Sequence, residues 1–349
     1  MSDGTVSSTA DDGTQSANPQ LTMLLSVIIP YYNIEDKLLI RCVNSVLNAG
    51  MNEEDYEIIL VDDGSERPPV QTEEYFIDNR QIRWSPMLHR GLGAARNHGT
   101  KQARGEYILY LDADDYLYAG TFLPVWEETI RSRCDIMRFG YRFCTSIEEE
   151  HPKQPATPTF SQPVDGNTYM QTHHLPGMAC VYLFRKTLRT DVGLNFSEKG
   201  FIEDEAFTTI LHYRARSVVE SNTFVYAYYK RAGSITQNRS FDRQSQLSYG
   251  LFRAINDVYD FRRVLYADQL PTQGIDRKLN ALTVDLIRRI LTNDYWELEW
   301  IKYERLLQPL HLLPLKGCDY TFKYRMFSRL SNHSWGRSLL RTLLTLGIH

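Results

Sequence analysis

Three apolar runs, each broken off by a polar turn, limit what this chain can fold into. "LLSVIIPYYN" (24–33), "YEIILVDDGS" (56–65) and "EYILYLDADD" (106–115) are short, apolar and free of polar alternation before they reach their turns. Strands covered on both faces read this way, whereas a half-exposed strand would alternate. Between the first two, "EDKLLIRCVNSVLNAG" (35–50) spaces Leu38, Leu39, Cys42, Val43, Val46 and Leu47 for one helical face, with Gly50 where a helix should stop. Ahead of the third, "GLGAARNHGTKQARG" (91–105) reads as a loop entering a helix. The predicted class is therefore α/β, a mostly parallel sheet flanked by helices. Open sheets of this kind bind ligands outside the carboxyl ends of their strands. Tyr32 and Asn33, Asp62 and Asp63, and Asp112, Asp114 and Asp115 are thus expected around one crevice.

The texture changes after about residue 150. "HPKQPATPTFSQPVDGN" (151–167) carries four prolines in seventeen residues and reads as a surface excursion or linker. A mixed segment runs to about 236. Beyond it, "QLSYGLFRAINDVYDFRRVLYA" and "LNALTVDLIRRIL" have helical periodicity, predicting a C-terminal helical extension. The expected organisation is a disordered leader over 1–22, rich in Ser, Thr, Gly and Asp, then a catalytic domain over 23–240 and a helical region over 241–349.

Charge and cysteine usage exclude several classes. A net charge of −4 argues against a dedicated nucleic-acid binder. No window reaches the roughly 18 consecutive apolar residues of a membrane-spanning helix. The first residues have neither the basic stretch nor the apolar stretch of a secretion signal. Five cysteines, an odd number without C-x-x-C spacing, fit reduced thiols in a cytoplasmic protein better than disulfides or a zinc site.

Acids at the end of a buried strand are costly to hide and call for a reason. Two carboxylates one residue apart, as in "LDADD", can point at a common divalent cation. Mg2+ and Mn2+ favour few protein carboxylates and take their other oxygens from phosphate and water. The same acids would also suit a solvated turn, but the second acidic turn at 62–63 weakens that reading.

Taken in order, "LSVIIPYYN", "EIILVDDGS", "RGLGAARNHG" and "GEYILYLDADD" resemble the successive signatures of family 2 glycosyltransferases, and "FIEDEAF" (201–207) and "YYKRAGSIT" (228–236) resemble its acceptor-side motifs. The resemblance spans roughly 24–240 and implies the GT-A nucleotide-sugar fold. By position, it implies that Pro30, Tyr32 and Asn33 border the base and ribose, and that Asp62, with Asp63 a second candidate, recognises the base. Arg96 and Asn97 would lie near the diphosphate and Asp112 at the ribose or sugar. Asp114, with Asp115 beside it, would hold Mn2+ or Mg2+. Arg231 and Ser234 would close over the diphosphate. Asp204 would be the catalytic base, with Glu203 and Glu205 as alternatives and a dipole-favoured acidic helix start as the plainer explanation.

The implied reaction is a metal-dependent transfer from a nucleotide sugar, UDP-linked by expectation, to a glycan or lipid-linked acceptor hydroxyl in surface polysaccharide biosynthesis. One displacement, with the base opposite the leaving group, would invert the anomeric centre. Two other readings stand beside it. A nucleotidyltransferase would want a glycine-rich phosphate loop, and "PYYNIEDK" has no glycine. A non-catalytic sugar-nucleotide or glycan-binding module would have less need of an intact "ED". His173 and His174 read as loop residues, since no third ligand stands at metal spacing.

From Lys302 to His349 eight Lys and Arg face two acids, a net of +6. "WGRSLLRTLLTLGIH" adds a leucine stripe. Such a segment suits peripheral contact with an anionic membrane at the inner face of the plasma membrane, or a helix packed on the body of the protein.

Overall fold

The computed structural model describes residues 23–145, 152–230, 240–316 and 320–346. The expected leader, Arg231, Ser234 and Cys318 lie outside the described residues. In the first half β1 (Leu25–Tyr31), α1 (Asp36–Leu47), β2 (Tyr56–Asp62), α3 (Leu92–Gln102) and β4 (Tyr107–Tyr110) follow the sequence pattern, and between β2 and α3 the structure adds two elements that the pattern did not predict, α2 (Val70–Tyr75) and β3 (Ile82–Pro86). Every residue of β1 and β4 is buried, which explains their unbroken apolar composition. In α1 the residues turned inward are Leu38, Leu39, Cys42, Val43 and Val46, the spacing read from the sequence.

The second half continues with β5 (Tyr116–Leu117), α4 (Phe122–Ser132), β6 (Ile136–Cys144), α5 (Gly166–Thr172), β7 (Tyr182–Arg185), α6 (Thr187–Thr190), α7 (Asp204–Arg214) and β8 (Val218–Tyr229). One eight-stranded sheet results, in the order β3-β2-β1-β4-β7-β6-β8-β5. Its first four strands are mutually parallel. Beyond β4 the sheet is mixed: β7 runs antiparallel to β4 and β6, β6 parallel to β8, and β5 antiparallel to β8. The parallel expectation holds where helices return the chain across the sheet. It fails at β7 and β5, which run antiparallel to their neighbours.

Close helix-on-sheet packing sets the position of α3. A Cβ on Gly99 would come within 2.5 Å of Ile28 Cγ2 and 3.0 Å of Val61 Cγ2, so only glycine lets α3 settle onto β1 and β2. The residues at its head are thereby brought over the ends of those strands.

The C-terminal region is helical as expected: α8 (Phe241–Ala267), α9 (Gln273–Leu291), α10 (Trp296–Leu307), α11 (Phe322–Ser331) and α12 (Ser334–Thr345). It is not a separate appendage in packing. Leu251, Ile255, Leu279, Leu286 and Tyr303 belong to the same buried cluster as the strands. Helix α9 lies against both α5 and α7, so the C-terminal region reaches the second half of the sheet domain directly.

Candidate functional site

The ends of β1 and β2 form one wall of a crevice. Tyr32 is 41% exposed and stacks on His89 with ring centroids 4.3 Å apart, an aromatic step at the rim. Asn33 sits at φ 46°, donates its backbone N–H to Ser65 Oγ (2.9 Å) and accepts from the Arg67 amide through Oδ1 (3.1 Å). Its side chain therefore ties the two strand-end turns together. The paired acids of "VDDGS" divide. Asp63 is buried, and its two carboxylate oxygens accept from the Arg90 and Gly91 amides, each at 2.8 Å. It anchors the loop into α3, which leaves the half-exposed Asp62 at the crevice, with Oδ1 held by the Ser65 amide (2.8 Å).

The acids of "LDADD" divide as well. Asp115 is 2% exposed, accepts from the Tyr226 hydroxyl through Oδ2 and from the Tyr229 amide through Oδ1 (2.7 Å). Burial, then the neighbouring Asp114 and Asp112, push its carboxyl well above the usual range. Both oxygens are thus occupied in tying the turn to β8, a poor posture for the metal ligand the sequence allowed. Asp112 and Asp114 remain partly exposed at the crevice. The Asp114 carbonyl accepts from Arg41 (2.6 Å), whose guanidinium also lies over Tyr116 and Tyr229.

Among the described residues, no group of three or more His, Cys, Asp and Glu forms a complete metal cage. Two carboxylates at one turn still fit a hard divalent cation, because such ions take few protein oxygens and complete their shell from phosphate and water.

Arg96 lies beneath the crevice acids. It is only 2% exposed and spans two acids, donating to Asp112 Oδ1 (2.7 Å) and Glu203 Oε1 (2.8 Å). Its charge is therefore committed to a bridge across the crevice floor. Asn97 has other partners. Its side chain donates to the Phe196 carbonyl (3.0 Å) and Glu198 (3.2 Å), and accepts from Arg189 (2.8 Å) and the Phe196 amide (2.9 Å). Buried amides need such satisfaction, and this one fastens the 194–198 loop rather than facing the crevice.

At the far wall, α7 begins inside the acidic triplet of "FIEDEAF". The residue before it, Ile202, is held at φ 63°, a conformation β-branched side chains resist. Glu203 is spent on Arg96, and Glu205 pairs with Lys278 Nζ (2.6 Å). Asp204, between them, has neither cation as a direct ion-pair partner. Burial, then Glu203 and Glu205, push its carboxyl well above the usual range, with Arg96 opposing. A raised carboxyl at the edge of a crevice binds a proton more readily than an ordinary one, which suits a proton acceptor.

Lys278, Tyr226 and Arg41 escaped the sequence reading. Glu205 and Lys278 lie 73 residues apart, and no local spacing relates them. Tyr226 and Tyr229 stood in an aromatic run whose period carried no sign of the acid they would hold. His173 and His174 are exposed, as a loop reading predicts. They line a cavity of about 180 Å3 with Arg277, Lys278 and Tyr320.

Comparison with known proteins adds a likeness to this geometry. Residues 26–188 match Glycosyl transferase family 2. The Bacillus subtilis (strain 168) protein EpsJ, described as an uncharacterized glycosyltransferase, is 31% identical over 220 residues, covering 61% of this chain and 63% of EpsJ. The Staphylococcus aureus (strain MW2) poly(ribitol-phosphate) beta-N-acetylglucosaminyltransferase TarS is 26% identical over 218 residues, 60% of this chain and 36% of TarS. The crystal structure of S. aureus TarS 1–349 in complex with UDP-GlcNAc superposes with a TM-score of 0.62 at 19% identity, covering 93% of this chain and 92% of that one. At that identity the likeness is one of fold.

Proposed function

We propose that this chain, which carries a glycosyl transferase family 2 domain, moves a sugar from a nucleotide donor to a hydroxyl of a cell-surface polymer or its lipid-linked precursor. The observation that carries the proposal is the division of labour in the acidic triplet. Two buried cations engage Glu203 and Glu205, and Asp204 is left as the carboxylate to receive a proton. The poly(ribitol-phosphate) specificity of TarS and the UDP-GlcNAc in its crystal structure support a UDP sugar as donor and a surface polymer as acceptor.

In this reading the base enters against Tyr32, the rim platform, with Asp62 accepting from a ring N–H. Asn33 fixes the width of that slot by bridging the two strand-end turns. Asp112 and Asp114 would hold Mn2+ or Mg2+, and a bound cation of this kind offsets the charge that gathers on a departing diphosphate. Arg96 keeps Asp112 oriented toward the crevice. Asp204 takes the acceptor hydroxyl's proton as that oxygen attacks the anomeric carbon from the face opposite the diphosphate. One displacement with that arrangement inverts the anomeric centre.

The C-terminal helices are read as a membrane-facing surface. Among the described residues no helix is long and apolar enough to cross a membrane. Helix α12 docks through Gly336 and Leu340 and turns Arg337 onto Trp300 and Arg341 onto Trp296. Phe322, Met326, Trp335, Leu339 and Leu346 are left exposed beside a strongly basic segment, which suits shallow contact with anionic lipid.

The deciding experiment is a screen of nucleotide sugars for hydrolysis with and without Mn2+, which needs no acceptor. A UDP sugar hydrolysed only with the metal present is the expected result. If no nucleotide sugar is bound or hydrolysed, the proposal fails.

A further inference from the structure

We propose that Lys278, on a helix outside the family-matched segment, is a positioning residue for transfer, acting on Asp204 through Glu205. This rests on Asp204 being the base. Lys278 is 7% exposed, and its ammonium donates to Glu205 Oε2 (2.6 Å) and to the Leu175 carbonyl (2.7 Å). A cation so buried is costly unless it is paired and hydrogen-bonded, and here a carboxylate on α7 and a backbone carbonyl meet it.

Gly177 completes the seat. A Cβ there would stand 2.2 Å from the Glu205 carboxyl carbon, so the glycine leaves the space that Glu205 occupies. Glu205 is thus drawn toward α9 while Glu203 is drawn toward α3. Asp204 is held between two carboxylates that each answer to a different cation.

Removing the ammonium would leave Glu205 in a half-buried place with its negative charge unbalanced. It would then take up a proton or turn toward Asp204, and either outcome disturbs the proton acceptor without touching the nucleotide slot. The C-terminal region is on this account part of the catalytic unit, since α9 supplies the charge that sets the base apart.

The test uses the full chain in steady-state transfer, with thermal melting to confirm folding. Lys278→Met is expected to lower kcat about tenfold while the donor KM stays unchanged. Lys278→Arg is expected to keep most of the turnover. The double variant Lys278→Met with Glu205→Gln is expected to recover most of what the single variant lost, a rescue that a purely structural lysine would not give. A folded Lys278→Met at full turnover overturns the inference, and so does a double variant no better than the single one. Asp204→Asn separates the two readings. If it abolishes transfer while Lys278→Met is fully active, only the present inference falls; if it leaves transfer intact, both fall.

Discussion

The two walls of the crevice hold their acids by different means. On the strand-end side, where the nucleotide is proposed to bind, Asp62 and Asp63 are bound by backbone amides of nearby turns, at Ser65, Arg90 and Gly91. On the α7 side, Glu203 and Glu205 are bound by side-chain cations from distant helices, Arg96 and Lys278. Amide-held acids depend on loop shape, which short motifs encode. Cation-held acids depend on how whole helices dock. The first wall should therefore tolerate changes in the C-terminal region, and the second should not.

The largest effect that would sharpen this contrast is at Asp204. Asp204→Asn is expected to cost about 100- to 10,000-fold in kcat, as for a lost general base, while calorimetry still shows donor binding. Lost binding would instead mean that α7 shapes the nucleotide wall. Next comes Asp114→Ala, expected to lower metal-stimulated donor hydrolysis by about a hundredfold. Equal metal response in the variant would remove Asp114 from the metal.

Smaller and more diagnostic is the pH profile. Burial, Glu203 and Glu205 raise the Asp204 carboxyl, and the base works only when deprotonated. Activity should therefore be present above that raised value and lost as pH falls through it, with the acid limb of kcat above the ordinary carboxylate range. A limb at the ordinary carboxylate position would break the account of the α7 wall. Gly177→Ala probes the same wall more gently. The new methyl meets the end of a flexible Glu205 side chain, so a fall in kcat is expected with little change in melting temperature. The smallest change is on the outer surface. Trp335→Ser with Leu339→Ser should weaken sedimentation with anionic liposomes and leave donor hydrolysis untouched; unchanged sedimentation would set the membrane reading aside.

The sheet core and the strand-end acids were legible because both are local patterns. Apolar runs without alternation announced β1, β2 and β4, and heptad-like spacing announced α1. The mixed half of the sheet was not legible, since the direction in which β7 pairs with β4 and β6 depends on contacts between segments far apart in sequence. Nor could the roles of neighbouring acids be told apart. Asp114 and Asp115 are adjacent in sequence, yet Tyr226, 111 residues from Asp115, claims Asp115 for the interior. Arg96 and Asn97 are adjacent in one motif, yet Arg96 bridges two acids at the crevice floor and Asn97 secures a loop.

Sequence alone determined that this chain builds an α/β sheet with carboxylates at its strand ends, because periodicity and turn chemistry act over a few residues. Tertiary structure decided which of those carboxylates stay partly exposed at the crevice and which are buried and spent on the fold. That choice turns on the burial of each acid and on cations and hydroxyls brought from up to 111 residues away, a proximity that only the packed chain creates.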